Sequence, residues 1–122
     1  MAKKLLIILA NSDPHNAEEI GAPLFQATVA AAMGHEVEII ITGHIGILAT
    51  EGHAEKLEIN HETHRTIYDV LKEAHKAGVV FKVSAPTIEI WSDNLIPEID
   101  QTVGASYVVE EAMEDGTVTF TY

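Results

Sequence analysis

A chain of 122 residues with 47% hydrophobic content is expected to form one domain, residues 1–122, burying about two-thirds of its unfolded surface without disulfide or metal staples. It has no cysteine, which excludes disulfides, thiolate nucleophiles, cysteine-ligated zinc and cysteine-held iron–sulfur clusters. Seven Lys and Arg against nineteen Asp and Glu give a formal charge of −12, opposite in sign to the field that a phosphate backbone needs, so nucleic acid is not an expected partner.

Lys4 to Ala10 (KLLIILA) is a continuous apolar run of strand length. It meets Asn11-Ser12-Asp13-Pro14, which is neither a cleavage region nor the continuation of a membrane span, so a cytoplasmic protein without a membrane partner is expected. Ala17 to Met33 carries apolar residues close to helical spacing, at Ile20, Leu24, Ala27 and Ala31. Pro23 interrupts the register, which predicts a regular helix from about Pro23 to Met33 stopped by Gly34. Glu36 to Thr42 (EVEIIIT) reads as the second strand, and Gly43-His44-Ile45-Gly46 as a turn that presents a histidine.

A short helix is expected around Ile47 to Thr50, followed by a loop through His53. Asn60 is a candidate cap for a helix whose apolar positions Ile67, Val70, Leu71 and Ala74 fall three and four apart, closed by Gly78. Val79 to Val83 is a β-branched, nearly all-apolar run, suited to the middle of a sheet covered on both faces. It ends at Ser84-Ala85-Pro86. Thr87 to Trp91 reads as one helical turn, Ile99 to Val103 as a fourth strand, Ala105 to Glu114 as a last helix, and Thr117 to Tyr122 (TVTFTY) as an alternating strand at a sheet edge or subunit contact. Strands alternating with helices predict an α/β fold of about five mostly parallel strands with helices on both faces.

In such sheets ligands sit beyond the carboxyl ends of the strands, which makes Ser84 the natural centre of a site. Asn11, Ser12, Asp13 and His15 leave the first strand on that same side, as do Gly43 and His44 after the second; Thr87 follows Ser84. Together they are the candidate ligand-binding set. Two histidines, an acid and hydroxyls in one crevice also suit a metal-dependent or serine-dependent small-molecule enzyme using His15, His44 and Ser84. The Gly-x-Ser-x-Gly elbow that would force Ser84 outward is missing, so no catalytic residue is assigned. His61-Glu62-Thr63-His64 is one residue short of the zinc helix motif, and a solvated helix start is the reading preferred over a three-histidine set with His53; whether any histidine binds metal is left open. Trp91 reads as a subunit contact. With neither a Walker loop nor Gly-x-Gly-x-x-Gly, no cofactor is expected.

Three stretches carry a likeness that runs nearly end to end: KLLIILA; ATVAAAMGHEVEIIITG; and VFKVSAPTIEIWSDNLIPEIDQTVGASYVVEEAMEDGTVTF. In this order and spacing the chain resembles the DsrE/DsrF family of small sulfur-relay proteins. The resemblance implies a three-layer flavodoxin-like fold, a homotrimer or homohexamer, and in active members a cysteine that accepts and passes on persulfide sulfur. The position matching that cysteine is Ser84, and an oxygen cannot hold a persulfide. The implied function is therefore a non-catalytic relative that binds a small ligand or a sulfur-relay partner beyond the third strand, or an inactive structural subunit of a mixed sulfur-relay complex.

Overall fold

The computed structural model describes residues 3–91 and 94–122; Ser92 and Asp93, inside the stretch that follows Ser84, lie outside it. Five strands, β1 (Lys4–Leu9), β2 (Glu36–Ile41), β5 (Val80–Ser84), β6 (Ile99–Val103) and β7 (Thr117–Thr121), form one parallel sheet in the order β6-β5-β2-β1-β7. A short antiparallel hairpin, β3 (Glu58–Asn60) with β4 (Arg65–Thr66), stands apart from it. The helices are α1 (Ala17–Ala32), α2 (Ile67–Lys76), α3 (Ala85–Trp91) and α4 (Ala105–Met113), with 3-10 turns over Gly43–Ala49 and Ala54–Lys56. This is the expected α/β layering. Among the described residues, no helix is long and apolar enough to cross a membrane.

Alternation along the strands divides the core between two unequal faces. Ile7, Leu9, Ile39, Ile41, Phe81 and Val83 face α1 and α2, whose buried stripes are Ile20, Leu24 and Ala27 and then Ile67, Val70, Leu71 and Ala74. The opposite face is thinner: Leu6, Ile40 and Val103 pack under Tyr107, Val108 and Ala112 of α4, a helix with no fully buried residue. β7 closes one edge with Val118 and Phe120 exposed.

Local chemistry explains where the element boundaries depart from expectation. α1 starts at Ala17, not near Pro23, because the Asn16 side chain accepts from the N–H groups of Glu18 and Glu19 at 3.0 and 3.2 Å, and burial of Ile20 and Pro23 holds the proline inside the helix. Asn60 does not cap α2. Its Oδ1 accepts from Glu62 and Thr63 N–H in the hairpin turn, and the cap is Thr66, in a reciprocal box with Asp69. His61 and His64 therefore stand in a hairpin turn rather than at a helix start. The helical turn expected around Ile47 to Thr50 begins earlier, at Gly43, directly after β2.

On the thin face one carboxylate is out of water. Glu38, 3% exposed on the central strand β2, accepts from Lys4 of β1 at 2.9 Å, Lys82 of β5 at 2.7 Å and the Tyr107 hydroxyl of α4 at 2.6 Å. Lys4 also pairs with Glu111, and Lys82 with the Tyr107 oxygen, so three strands and α4 share one network. Burial raises the Glu38 carboxyl, but the hydrogen bonds from Lys82, Tyr107 and Lys4 outweigh it and leave the group below its ordinary range. Burial lowers Lys4 and Lys82, and their carboxylate partners more than reverse it, so both are raised. Glu38 thus stabilises the fold fully above its ordinary value of 4.5 and loses that contribution as pH falls through its folded value. The two lysines contribute fully below their ordinary 10.5 and lose it as pH rises through their folded values.

Glu38→Gln is expected to cost about 3 kcal/mol near neutral pH, because it leaves buried lysine charge unpaired. It should also flatten the acid limb of the stability curve. Urea unfolding followed from neutral to acid pH checks both, and a wild-type-like acid limb in the variant would remove Glu38 from the account.

Candidate functional site

β2, β5 and β6 all end on one side of the sheet, and a groove of about 420 Å³ opens there between α3 and α4 on the thin face. Ile8 and Ile40 form its floor, Pro86 and Ile90 one wall, and Val108 and Val109 the other. Gly104 and Ala105, at the start of α4, line the groove too, and the space beside Gly104 is open, with nothing within 4 Å of a Cβ placed there. The polar end is built from Thr42, Gly43, Ser84 and Thr87.

Hydrogen bonds fix that end. Gly43 N–H donates to Thr87 Oγ1 at 3.1 Å, Ser84 Oγ lies 2.5 Å from Thr87 Oγ1, and Ser84 donates to Thr42 Oγ1 at 3.2 Å. Gly43 adopts φ +64°, a left-handed conformation natural to glycine, which turns the chain from β2 into the 3-10 segment and aims its N–H at Thr87. Trp91 donates its indole N–H to the Gly43 carbonyl at 2.9 Å from outside the groove, with 37% of its surface exposed. Gly46 makes this packing possible: a Cβ there would sit 1.9 Å from Thr87 Cγ2 and 2.7 Å from Trp91 Cδ1.

Of the sequence-predicted set, the groove gathers Gly43, Ser84 and Thr87, and it leaves the others elsewhere. Asn11 is exposed and its N–H donates to the Tyr122 carbonyl; Ser12 is buried and its carbonyl lies 2.8 Å from His44 Nε2. Asp13 accepts from the His15 N–H at 2.9 Å, forming a local turn. His15 lines a separate cleft of about 200 Å³ with His53 and Lys56. His15, His44 and Ser84 thus do not line one cavity: the hydroxyl partners of Ser84 are two threonines, and neither is a base. His61 and His64 both bond Glu58, at 3.3 and 2.7 Å, while His53 lines the cleft with His15. Among the described residues, no three His, Asp or Glu side chains are grouped as a metal ion requires.

Sequence reasoning missed Thr42 and the wall residues of α4. Thr42 had a legible signal, being the last residue of the EVEIIIT run and hence at a strand's carboxyl end. Val108 and Val109 had none, because consecutive valines in a short helix do not say which of them faces a groove.

The fold has a counterpart among solved structures. The chain is similar to the ychN protein from E. coli, with a TM-score of 0.71 and 17% identity over 98% of this chain and 100% of that one. That likeness carries the fold, a flavodoxin-like α/β sheet, and at this identity nothing further. No family model and no curated protein matches the chain.

Gly46→Ala is expected to destabilise the protein by about 2 kcal/mol, as overpacking does, and to shift Trp91 emission by pushing α3 off the 3-10 segment. Chemical denaturation with fluorescence readout checks it; wild-type stability and an unchanged spectrum would mean that α3 is not held as described.

Proposed function

We propose that the chain is a non-catalytic relative of the sulfur-relay proteins that holds a small ligand or a partner protein in the groove between α3 and α4. One observation carries this reading: Ser84, which matches the family's sulfur-carrying cysteine by resemblance, lines the polar end of a groove with a volume typical of small-molecule sites. The chain has no cysteine, so no thiol is present to accept persulfide sulfur. The groove survives without the chemistry.

In this reading the protein works in the cytoplasm as a homotrimer or homohexamer, and the exposed apolar side chains of Val29, Met33 and Met113 supply candidate contact area. An inactive place in a mixed complex with a cysteine-bearing relative belongs to the same reading. It needs the same groove and the same missing thiol.

Ser84→Cys tests it directly. The wild type is expected to take up no transferable sulfur from a low-molecular-weight persulfide donor. The variant's thiolate is expected to take the donor's outer sulfur and release the donor thiol, giving a mass gain of one sulfur per chain. Stable, transferable sulfur on the wild type would refute the non-catalytic reading, and a variant thiol that stays inert to both persulfide and alkylating reagents would refute the match at position 84.

A further inference from the structure

The hydroxyls at the polar end of the groove form a chain of donations. Each hydroxyl has one proton to give. Ser84 gives its proton to Thr42 Oγ1, so the 2.5 Å contact with Thr87 must be donated by Thr87, whose oxygen in turn accepts from the Gly43 N–H. The sequence of donations runs Gly43, Thr87, Ser84, Thr42, and it ends on the Thr42 hydroxyl. Thr42 precedes the 3-10 segment yet its side chain makes no capping bond there, and it lines the groove. Its proton is therefore the one that the chain of donors delivers to an occupant.

Among the described residues, the remaining lining is apolar or glycine and no charged side chain contributes to it, although the protein carries a formal charge of −12. An ionic ligand would leave water with no charged side chain among the described residues to meet it, at a cost that an apolar wall cannot offset. A carbonyl-type oxygen beside Thr42 and an apolar body against Ile40, Ile90 and Val109 match what the groove offers. We infer that the ligand is a small, uncharged, mainly apolar molecule with one terminal hydrogen-bond acceptor, held by Thr42. The inference rests on the groove being the binding site and goes further by fixing the ligand's chemical class.

Two naphthalene dyes of similar size separate the possibilities: prodan, a neutral ketone, and anilinonaphthalene sulfonate, an anion. The wild type is expected to bind one prodan per chain with blue-shifted emission, and the sulfonate at least about tenfold more weakly. Thr42→Val should weaken prodan about tenfold, the worth of one hydrogen bond at a buried site, and Thr42→Ser, which restores the hydroxyl, should recover it. Ala105→Phe, which fills the mouth without touching the hydroxyls, should abolish binding, with circular dichroism confirming that each variant is folded. If Ala105→Phe blocks both dyes but the sulfonate binds as well as prodan, or Thr42→Val changes nothing, the ligand class is overturned and the groove stands as a site. If neither dye binds the wild type, or Ala105→Phe leaves binding intact, the groove falls as a site and the ligand class with it.

Discussion

A carboxylate removed from water must be surrounded by donors, and Glu38 has three of them, one from each neighbouring strand and one from α4. This requirement organises the thin face of the sheet. Lys4, Glu38 and Lys82 lie on the same face of β1, β2 and β5, and a slip of one residue in either strand pairing would turn a charged partner to the apolar side. The network therefore specifies register, and through Tyr107 and Glu111 it also sets where α4 lies across the sheet. A pair of buried ions is weak evidence for extra stability against an apolar alternative, and its contribution here is to positional uniqueness.

The position of α4 matters because the helix makes one wall of the groove. The network sits toward the amino ends of the strands and the groove at their carboxyl ends, so the same helix is clamped by charge at one end and left open over apolar surface at the other. Opposite it, α3 is fixed by Thr87 buried against Gly46 and by the Trp91 bond to Gly43. The hydroxyl cluster lies between two held walls. Ser84 is one member of this cluster, with no histidine among its partners, which separates it from the activated serines of hydrolases.

The layering was legible in the sequence because its signals were local and strong. KLLIILA, EVEIIIT and VVFKV read as buried strands, and Ile67, Val70, Leu71 and Ala74 gave the buried stripe of α2, closed at Gly78 with φ +108°. Ser84 was legible from position alone, as the hydroxyl where the strand run ends. Convergence was not. Loops that leave the same edge of a sheet can go to either face, and the sequence holds no mark that sends His15 to one cleft and Ser84 to another. Glu38 was equally hidden, since a glutamate between valine and isoleucine reads as an outward residue until Lys4, Lys82 and Tyr107 are known to converge on it. Asn60 reads as the cap in place of Thr66 because the hairpin of β3 and β4, three and two residues long, is too short to announce itself by periodicity.

The two faces also differ in how they come apart. α1 buries three side chains in the large cluster and α2 four, while α4 buries none completely, so of these three helices transient local opening is cheapest at α4. Its backbone amides will exchange with solvent well before those of the central strands. Each such excursion bares the thin side of the sheet and dismantles one wall of the groove, so occupancy and the lifetime of the docked helix are coupled: a bound molecule that bridges Val109 and Ile40 slows the whole helix from leaving.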